Sequence, residues 1–403
     1  MNILLLCNKS PWPPHEGGPI AMNAMAEGLI NAGHTVKILA INSNKYSIAL
    51  SSIPENYRAK TRIEYVYIDL SVRPWPAFLN LFSGKSYHVE RFISEDFRQA
   101  LMAILRNEKF NIIQFETLFT TPYLDEIKMF SDAKLILRAH NIEHLIWERM
   151  AKGTFNPFKK YYLTHLASTL KKYELNTIRK VDGIVAITAK DAAFFRQHAG
   201  EIKVTDIPFG INSINETNPD KKSDQPTRRT GIFHLGSMNW LPNQEGIKWF
   251  INKVWPLIHK QFPDLEFHLA GREMPDWLRK CTTPGIVIDG EVPDAKAYME
   301  SFSVMVVPLF SGSGIRIKII EGMLAGCAIV TTRVGAEGID YTDGKNLMIA
   351  ENATTFAEKI SELILQPSLA LQTGSNGRQL VMKSHNNAVL MQKLTDFYRA
   401  IQH

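Results

Sequence analysis

Cysteine is scarce: Cys7, Cys281 and Cys327 are the only three in 403 residues. Their wide separation makes neither a disulfide framework nor a metal-ligand cluster, and it suits a reducing cytosol. Asp-x-Asp is absent from the sequence. A substrate diphosphate gripped through a divalent cation usually needs such paired carboxylates, so no metal and no cofactor are expected. No apolar run approaches the length of a membrane span, and the apolar start at 2–7 is too short for a signal-peptide core. A cytoplasmic chain, soluble or peripheral on a membrane, is expected. The glycines that follow, Gly17 and Gly18, lack the G-x-G-x-x-G spacing, which disfavours a nicotinamide dehydrogenase. Nucleic acid is not an expected partner, because no binding motif accompanies the moderate charge.

What is present is an ordinary globular composition, 45% hydrophobic and 21% charged, in a chain long enough for two cores. The first half alternates apolar runs (2–7, 35–41, 111–115, 135–138 and 183–187) with helical stretches at 95–107, 158–180 and 189–198. Continuous apolar runs separated by helices predict a doubly wound parallel α/β domain over 1–212. A polar segment at 213–230 predicts a linker. A second α/β series over 231–384 has runs at 232–235, 265–270, 286–288, 304–308 and 328–331, and a last amphipathic helix spans 387–401.

Charge is uneven. Residues 1–212 hold 26 Lys and Arg against 20 Asp and Glu, which equals the whole-chain excess of +6. From Lys152 to Lys180 seven basic residues meet one acid, Glu174, with Phe155, Phe158, Tyr161, Tyr162 and Tyr173 interleaved. Such a stretch fits an anionic membrane surface or a long solvated helix. The segment 73–82, R-P-W-P-A-F-L-N-L-F, is a second apolar contact for a bilayer, or alternatively part of the first core.

The densest chemistry lies at 311–337. An apolar run ends at Pro308, glycines 312 and 314 follow, and helical spacing begins near Ile315. A glycine turn entering a helix offers free backbone N–H groups and a dipole to an anion. Arg316 and Lys318 occupy the first turn, which disfavours cations unless something negative binds there. Glu321, a turn on, is placed to accept from sugar hydroxyls. Phosphate and hydroxyl recognition side by side is the chemistry of a nucleotide sugar.

This stretch resembles the donor signature of glycosyltransferase family 4, and Gly312-Ser-Gly-Ile-Arg-Ile-Lys-Ile-Ile-Glu321 matches its G-x-G-x-R-x-K-x-x-E sub-pattern at every fixed position. The family pairs two glutamates in Glu-x7-Glu; here the second is Glu321 and Ser313 stands where the first would be. The resemblance implies a GT-B fold: two facing Rossmann-like domains, a cleft between them, and a last helix (385–403) crossing back to the first. It implies a retaining, metal-independent transferase that moves a sugar from a nucleotide diphosphate sugar to a glycan or lipid-linked acceptor, as in surface polysaccharide or lipopolysaccharide synthesis.

Site residues follow from the same resemblance, and for Ser237, Asn239, Arg272 and Glu116 from hydrogen-bonding capacity or a place at a strand end. The donor diphosphate is expected on Ser313, Gly314, Arg316 and Lys318, with the ribose on Glu321. The loop 236–243, G-S-M-N-W-L-P-N, lacks the Arg and Lys that many members use there, so Arg316 and Lys318 are expected to supply that charge, with Gly236, Ser237 and Asn239 beside them. Arg272, Glu291 and Val292 are expected near the nucleotide, and Gly17 and Gly18 form a permissive loop near its phosphates. His140 matches the family histidine that faces the transferred sugar; Glu116, Arg138 and Asn141 are expected around the acceptor. Two other functions fit: a non-catalytic nucleotide-sugar-binding subunit, and a GT-B epimerase or hydrolase. Release of nucleoside diphosphate in the presence of acceptor separates them.

Overall fold

The computed structural model describes residues 1–14, 17–44, 47–71, 75, 80, 81, 83–210, 229–311 and 316–402. Ser313, Gly314, most of the expected linker and most of 73–82 fall outside these; Trp75 is exposed. The chain divides into two compact units, Met1–Ser213 with Asn387–His403, and Ile214–Asn386.

The first unit is built on strands β1 Asn2–Cys7, β2 Thr35–Ser43, β3 Glu64–Ile68, β4 Ile112–Glu116, β5 Lys134–Ala139, β6 Gly183–Ala186 and β7 Lys203–Asp206. They form one parallel sheet in the order β3-β2-β1-β4-β5-β6-β7. The central strands read as unbroken apolar runs because both faces are covered. In β1, Ile3, Leu5 and Cys7 enter one core, while Leu4 and Leu6 enter the other. The edge strands β3 (E-Y-V-Y-I) and β7 (K-V-T-D) are partly exposed, so their sequences carry no such run and the sequence pattern misses them.

Helices α1 Gly17–Asn31, α2 Glu95–Asn107, α3 Glu143–Lys152, α4 Pro157–Thr177 and α5 Ala189–His198 connect these strands. In α2 the local reasons are plain: Ser94 caps the Phe97 amide, Glu95 and Asp96 face the positive end of the dipole, and Phe97, Leu101, Ile104 and Leu105 recur on the buried side.

The second unit carries β8 Arg229–Leu235, β9 Phe267–Ala270, β10 Ile286–Gly290, β11 Phe302–Val307, β12 Ala328–Thr331 and β13 Met348–Ile349. This sheet is also parallel, in the order β10-β9-β8-β11-β12-β13. Helix α6 Leu241–Trp249 follows β8 and helix α7 Ile317–Leu324 follows β11. The last helix, α8 Asn387–Gln402, returns to the first unit. Its Leu390, Met391, Leu394, Tyr398 and Ile401 share a core with Met22, Met25 and Leu29 of α1.

Candidate functional site

In the first unit β1, β4 and β5 end side by side, with Cys7 in register with Glu116. The two-residue strand period places Gln114 and Glu116 on one face of β4. Arg138 Nη1 donates to Glu116 Oε2 at 2.9 Å and to the Ala21 carbonyl at 3.2 Å. His140 Nε2 donates to the same Oε2 at 3.0 Å, and Gln114 Nε2 donates to Oε1 at 2.6 Å. At the far end the Tyr398 hydroxyl of α8 donates to Gln114 Oε1. A chain of hydrogen bonds therefore runs from the C-terminal helix to the histidine.

This corrects two expectations. Glu116 and Arg138 are 0% and 1% exposed, so in this structure neither side chain is open to an acceptor. Both instead meet at Glu116 Oε2, the atom that also holds His140. Burial alone would raise Glu116; the Arg138 guanidinium and the His140 and Gln114 hydrogen bonds outweigh it and hold the carboxyl below its ordinary value. Burial lowers His140, and Arg138 adds to this against the pull of Glu116, so the ring is neutral at neutral pH. With Nε2–H committed to Glu116, Nδ1 is the acceptor atom. Thr117, directly after Glu116, has φ of 138°, a costly backbone for a β-branched residue, and its side chain accepts from the Phe119 amide.

Beyond His140, Asn141 Nδ2 lies 3.5 Å from Glu143 Oε1. Helix α3 has no side-chain cap of its own. The Glu174 carboxylate of α4 fills that role, accepting from the Glu143 amide at 3.0 Å, the His144 amide at 3.3 Å and His144 Nδ1 at 2.5 Å. Burial, then the Glu174 charge, pushes the Glu143 carboxyl up to about 8. A carboxyl raised above its unfolded value favours folding fully below about pH 4.5, and that contribution is lost as pH rises towards 8. Glu143→Gln is therefore expected to stabilise the protein at pH 8, by at most about 4 kcal/mol, and to do little at pH 5. Denaturant unfolding at the two pH values checks this; an equal effect at both would show that Glu143 is not held protonated.

Gly17 and Gly18 form the first turn of α1, not a loop, and Gly18 has no positive φ. A Cβ at position 18 would stand 2.8 Å from Lys9 Cε, near the far end of a flexible side chain. Lys9 was not singled out by sequence spacing. Its charge is one of the influences that lower His140.

In the second unit the loop after β8, which has no cation, cradles the two cations of α7. Lys318 Nζ donates to Asn243 Oδ1 at 2.7 Å and lies 3.5 Å from His234 Nε2. Buried His234 donates from Nδ1 to the Val306 carbonyl at 2.8 Å, and burial and Lys318 keep it neutral, so Nε2 faces the ammonium as an acceptor. Gly236 leaves room for that ammonium, since a Cβ would lie 2.4 Å from Lys318 Nζ and would push it aside. Desolvation, with Arg316 nearby and against the pull of Glu321, lowers Lys318 to about 7. Arg316, 6% exposed and the N-cap residue of α7, sits with its guanidinium carbon 5.3 Å from the Trp240 ring centroid.

The remaining expected donor residues ring the same strand ends. Ser237 Oγ donates to Asn239 Oδ1 at 2.9 Å, and Asn239 Nδ2 donates to Glu273 Oε1 at 2.8 Å. Arg272 and Glu291 pair at 3.0 Å, both well exposed. A groove of about 730 Å³ opens here, lined by Gly271, Met274, Ile288, Gly290 and Glu291 among others. Val292 is half-buried next to Glu291. Glu321 is exposed on α7, with Lys318 one turn before it. Glu273, Trp240, Asn243 and His234 were not singled out by the sequence; each is recognisable only from its contact.

Residues 229–366 match the family described as Glycosyl transferases group 1. The chain is 22% identical over 372 residues, 89% of its length and 89% of the relative's, to an uncharacterized 44.6 kDa protein in the cps region of Klebsiella pneumoniae. Among solved structures it is similar to a sucrose-phosphate synthase from Thermosynechococcus elongatus (TM-score 0.70, 14% identity, covering 100% of this chain and 99% of that one). It is also similar to a mutant of S. aureus TarM in complex with fondaparinux, alpha-GlcNAc-glycerol and UDP (TM-score 0.69, 13% identity, covering 99% and 100%). With its two parallel Rossmann-like sheets, the chain has the GT-B fold.

Proposed function

We propose that this protein is a retaining, metal-independent glycosyltransferase that uses a nucleotide diphosphate sugar. The observation that carries the proposal is the Lys318 ammonium, desolvated beside Gly236 and Asn243, with Arg316 on the same helix start. Two cations preorganised at a helix N-terminus suit the charge that grows on a departing diphosphate, and need no metal to do so. Arg316 offers a fork to phosphate oxygens and Lys318 a point charge. Ser237, Asn239, Arg272, Glu291 and Val292 are assigned to the nucleotide, and Glu321 to the ribose. On the first unit His140 is assigned to the transferred sugar, with Nδ1 accepting from one of its hydroxyls. The acceptor is assigned to a glycan or a lipid-linked glycan, supported by the TarM ligands and by the cps-region relative. Departure of the diphosphate with assistance to the acceptor hydroxyl on the same face gives the retaining outcome.

Incubation of the protein with a panel of UDP-, GDP- and dTDP-sugars, with and without acceptor, in EDTA, tests this directly. Acceptor-dependent release of nucleoside diphosphate is expected. Binding without release would mean a binding subunit, and acceptor-independent release a hydrolase.

Lys318 also sets a pH dependence. A bound diphosphate raises its pKa, so donor binding takes up a proton wherever the free ammonium has begun to dissociate. Affinity for a nucleotide sugar, whose diphosphate does not titrate in this range, is expected to fall up to about tenfold per pH unit above pH 7. Calorimetry at pH 6.5, 7.5 and 8.5 (in buffers of differing ionisation heat) measures both the affinity and the proton; a flat profile would remove Lys318 from the diphosphate.

A further inference from the structure

Helices α3 and α4 form a hairpin that packs through Ala151, Leu163 and Leu166 against Tyr87. The hairpin extends past that core. At its tip Phe155 is 102% exposed, Phe158 86%, Tyr161 73% and Met150 47%. The tip is built, not frayed: Asn156 caps α4 by accepting from the Lys159 amide at 3.0 Å, and Pro157 takes the first helical position. Lys152, Lys159 and Lys160 are exposed among these aromatics, and among the described residues no carboxylate pairs with them. From Arg149 to Tyr173 the sequence holds six Lys and Arg and no Asp or Glu.

We propose that this tip is a docking surface for an anionic lipid bilayer, with Phe155, Phe158 and Tyr161 entering the headgroup region and the lysines meeting the lipid charge. Large side chains held fully in water on a rigid tip mark an interaction site. The lysines decide which kind. Protein–protein interfaces are depleted in lysine, whereas interfacial helices carry aromatics on one side and Lys or Arg that snorkel to the headgroups on the other. No helix among the described residues is long and apolar enough to cross a membrane, so attachment here is to one leaflet. None of these tip residues is among those assigned to the donor or to the transferred sugar, and the inference stands whether or not the transferase reading does.

Co-sedimentation with vesicles tests it without turnover. The full chain is mixed with phosphatidylglycerol–phosphatidylethanolamine vesicles or with phosphatidylcholine vesicles, at low and high salt. The wild type is expected to pellet with the anionic vesicles and not with the neutral ones, and to retain part of that binding at high salt. The variant Phe155→Ser/Phe158→Ser/Tyr161→Ser is expected to lose at least tenfold in partitioning and its salt-resistant part. Lys152→Glu/Lys159→Glu/Lys160→Glu is expected to lose binding at both salts. All six positions are exposed, and circular dichroism confirms that each variant folds. Failure of the wild type to pellet, or pelleting unchanged in both variants, overturns the proposal. So does light scattering that shows a dimer which the Phe/Tyr variant dissociates, because the tip would then be an interface between copies.

Discussion

Lys318→Ala and Arg316→Ala are each expected to lower kcat/KM by about 10²–10³-fold, a loss of about 3–4 kcal/mol of transition-state stabilisation, while both proteins stay folded. The folded state holds Lys318 below its ordinary pKa through desolvation first and Arg316 second, so the fold bears a cost for that charge. Removing it relieves the cost and leaves the melting temperature unchanged or higher. Arg316→Ala gives up its Trp240 contact, a small term beside the catalytic loss. The pairing of a large kinetic effect with an unharmed fold separates a substrate-binding role from a structural one. Initial rates and thermal melts on the same preparations check it, and near-wild-type kcat in both variants would mean that the leaving group is stabilised elsewhere.

Glu116→Ala is expected to destabilise the protein by about 3–5 kcal/mol, because it leaves the Arg138 guanidinium buried with its carboxylate gone. Stability alone would not show that Glu116 matters to chemistry. The double variant Glu116→Leu/Arg138→Met makes the distinction, since replacing both members of a buried pair with apolar side chains is often nearly neutral. It is expected to regain most of the lost stability and none of the lost turnover, because His140 Nε2 then has no carboxylate to hold its tautomer. Denaturant unfolding and steady-state rates of the two variants decide; recovery of turnover with stability would make the pair purely structural. Tyr398 belongs to the same chain, since its hydroxyl donates to Gln114 and fixes which end of that amide faces Glu116.

The fold was legible where burial is two-sided. Runs such as Ile3 to Cys7 and Val304 to Val307 announce central parallel strands. The edge strands β3 and β7 were not legible, because half-exposed strands carry mixed side chains. At the site, glycine spacing and the two cations of α7 were visible as a pattern. The cradle beneath them was not: Asn243, His234 and Trp240 meet Lys318 and Arg316 only after β8 and β11 pair and bring positions about 75 residues apart together. The direction in which Glu116 and Arg138 point was likewise hidden. A strand-end position is compatible with a ligand contact or with burial, and only the neighbouring strand decides between them. Gly18 shows the same limit, since it lies in the first turn of α1 and not in a loop.

In the proposed reaction, cationic side chains at the start of α7 hold the donor diphosphate without a metal. Calorimetric titration with UDP-, GDP- and dTDP-sugars at pH 6.5 in excess EDTA tests it most directly, on the wild type and on Lys318→Ala/Arg316→Ala. One nucleotide class is expected to bind the wild type in EDTA, with affinity at least a hundredfold weaker in the double variant. Binding that appears only when magnesium or manganese is added, or that is the same in the double variant, would contradict the account.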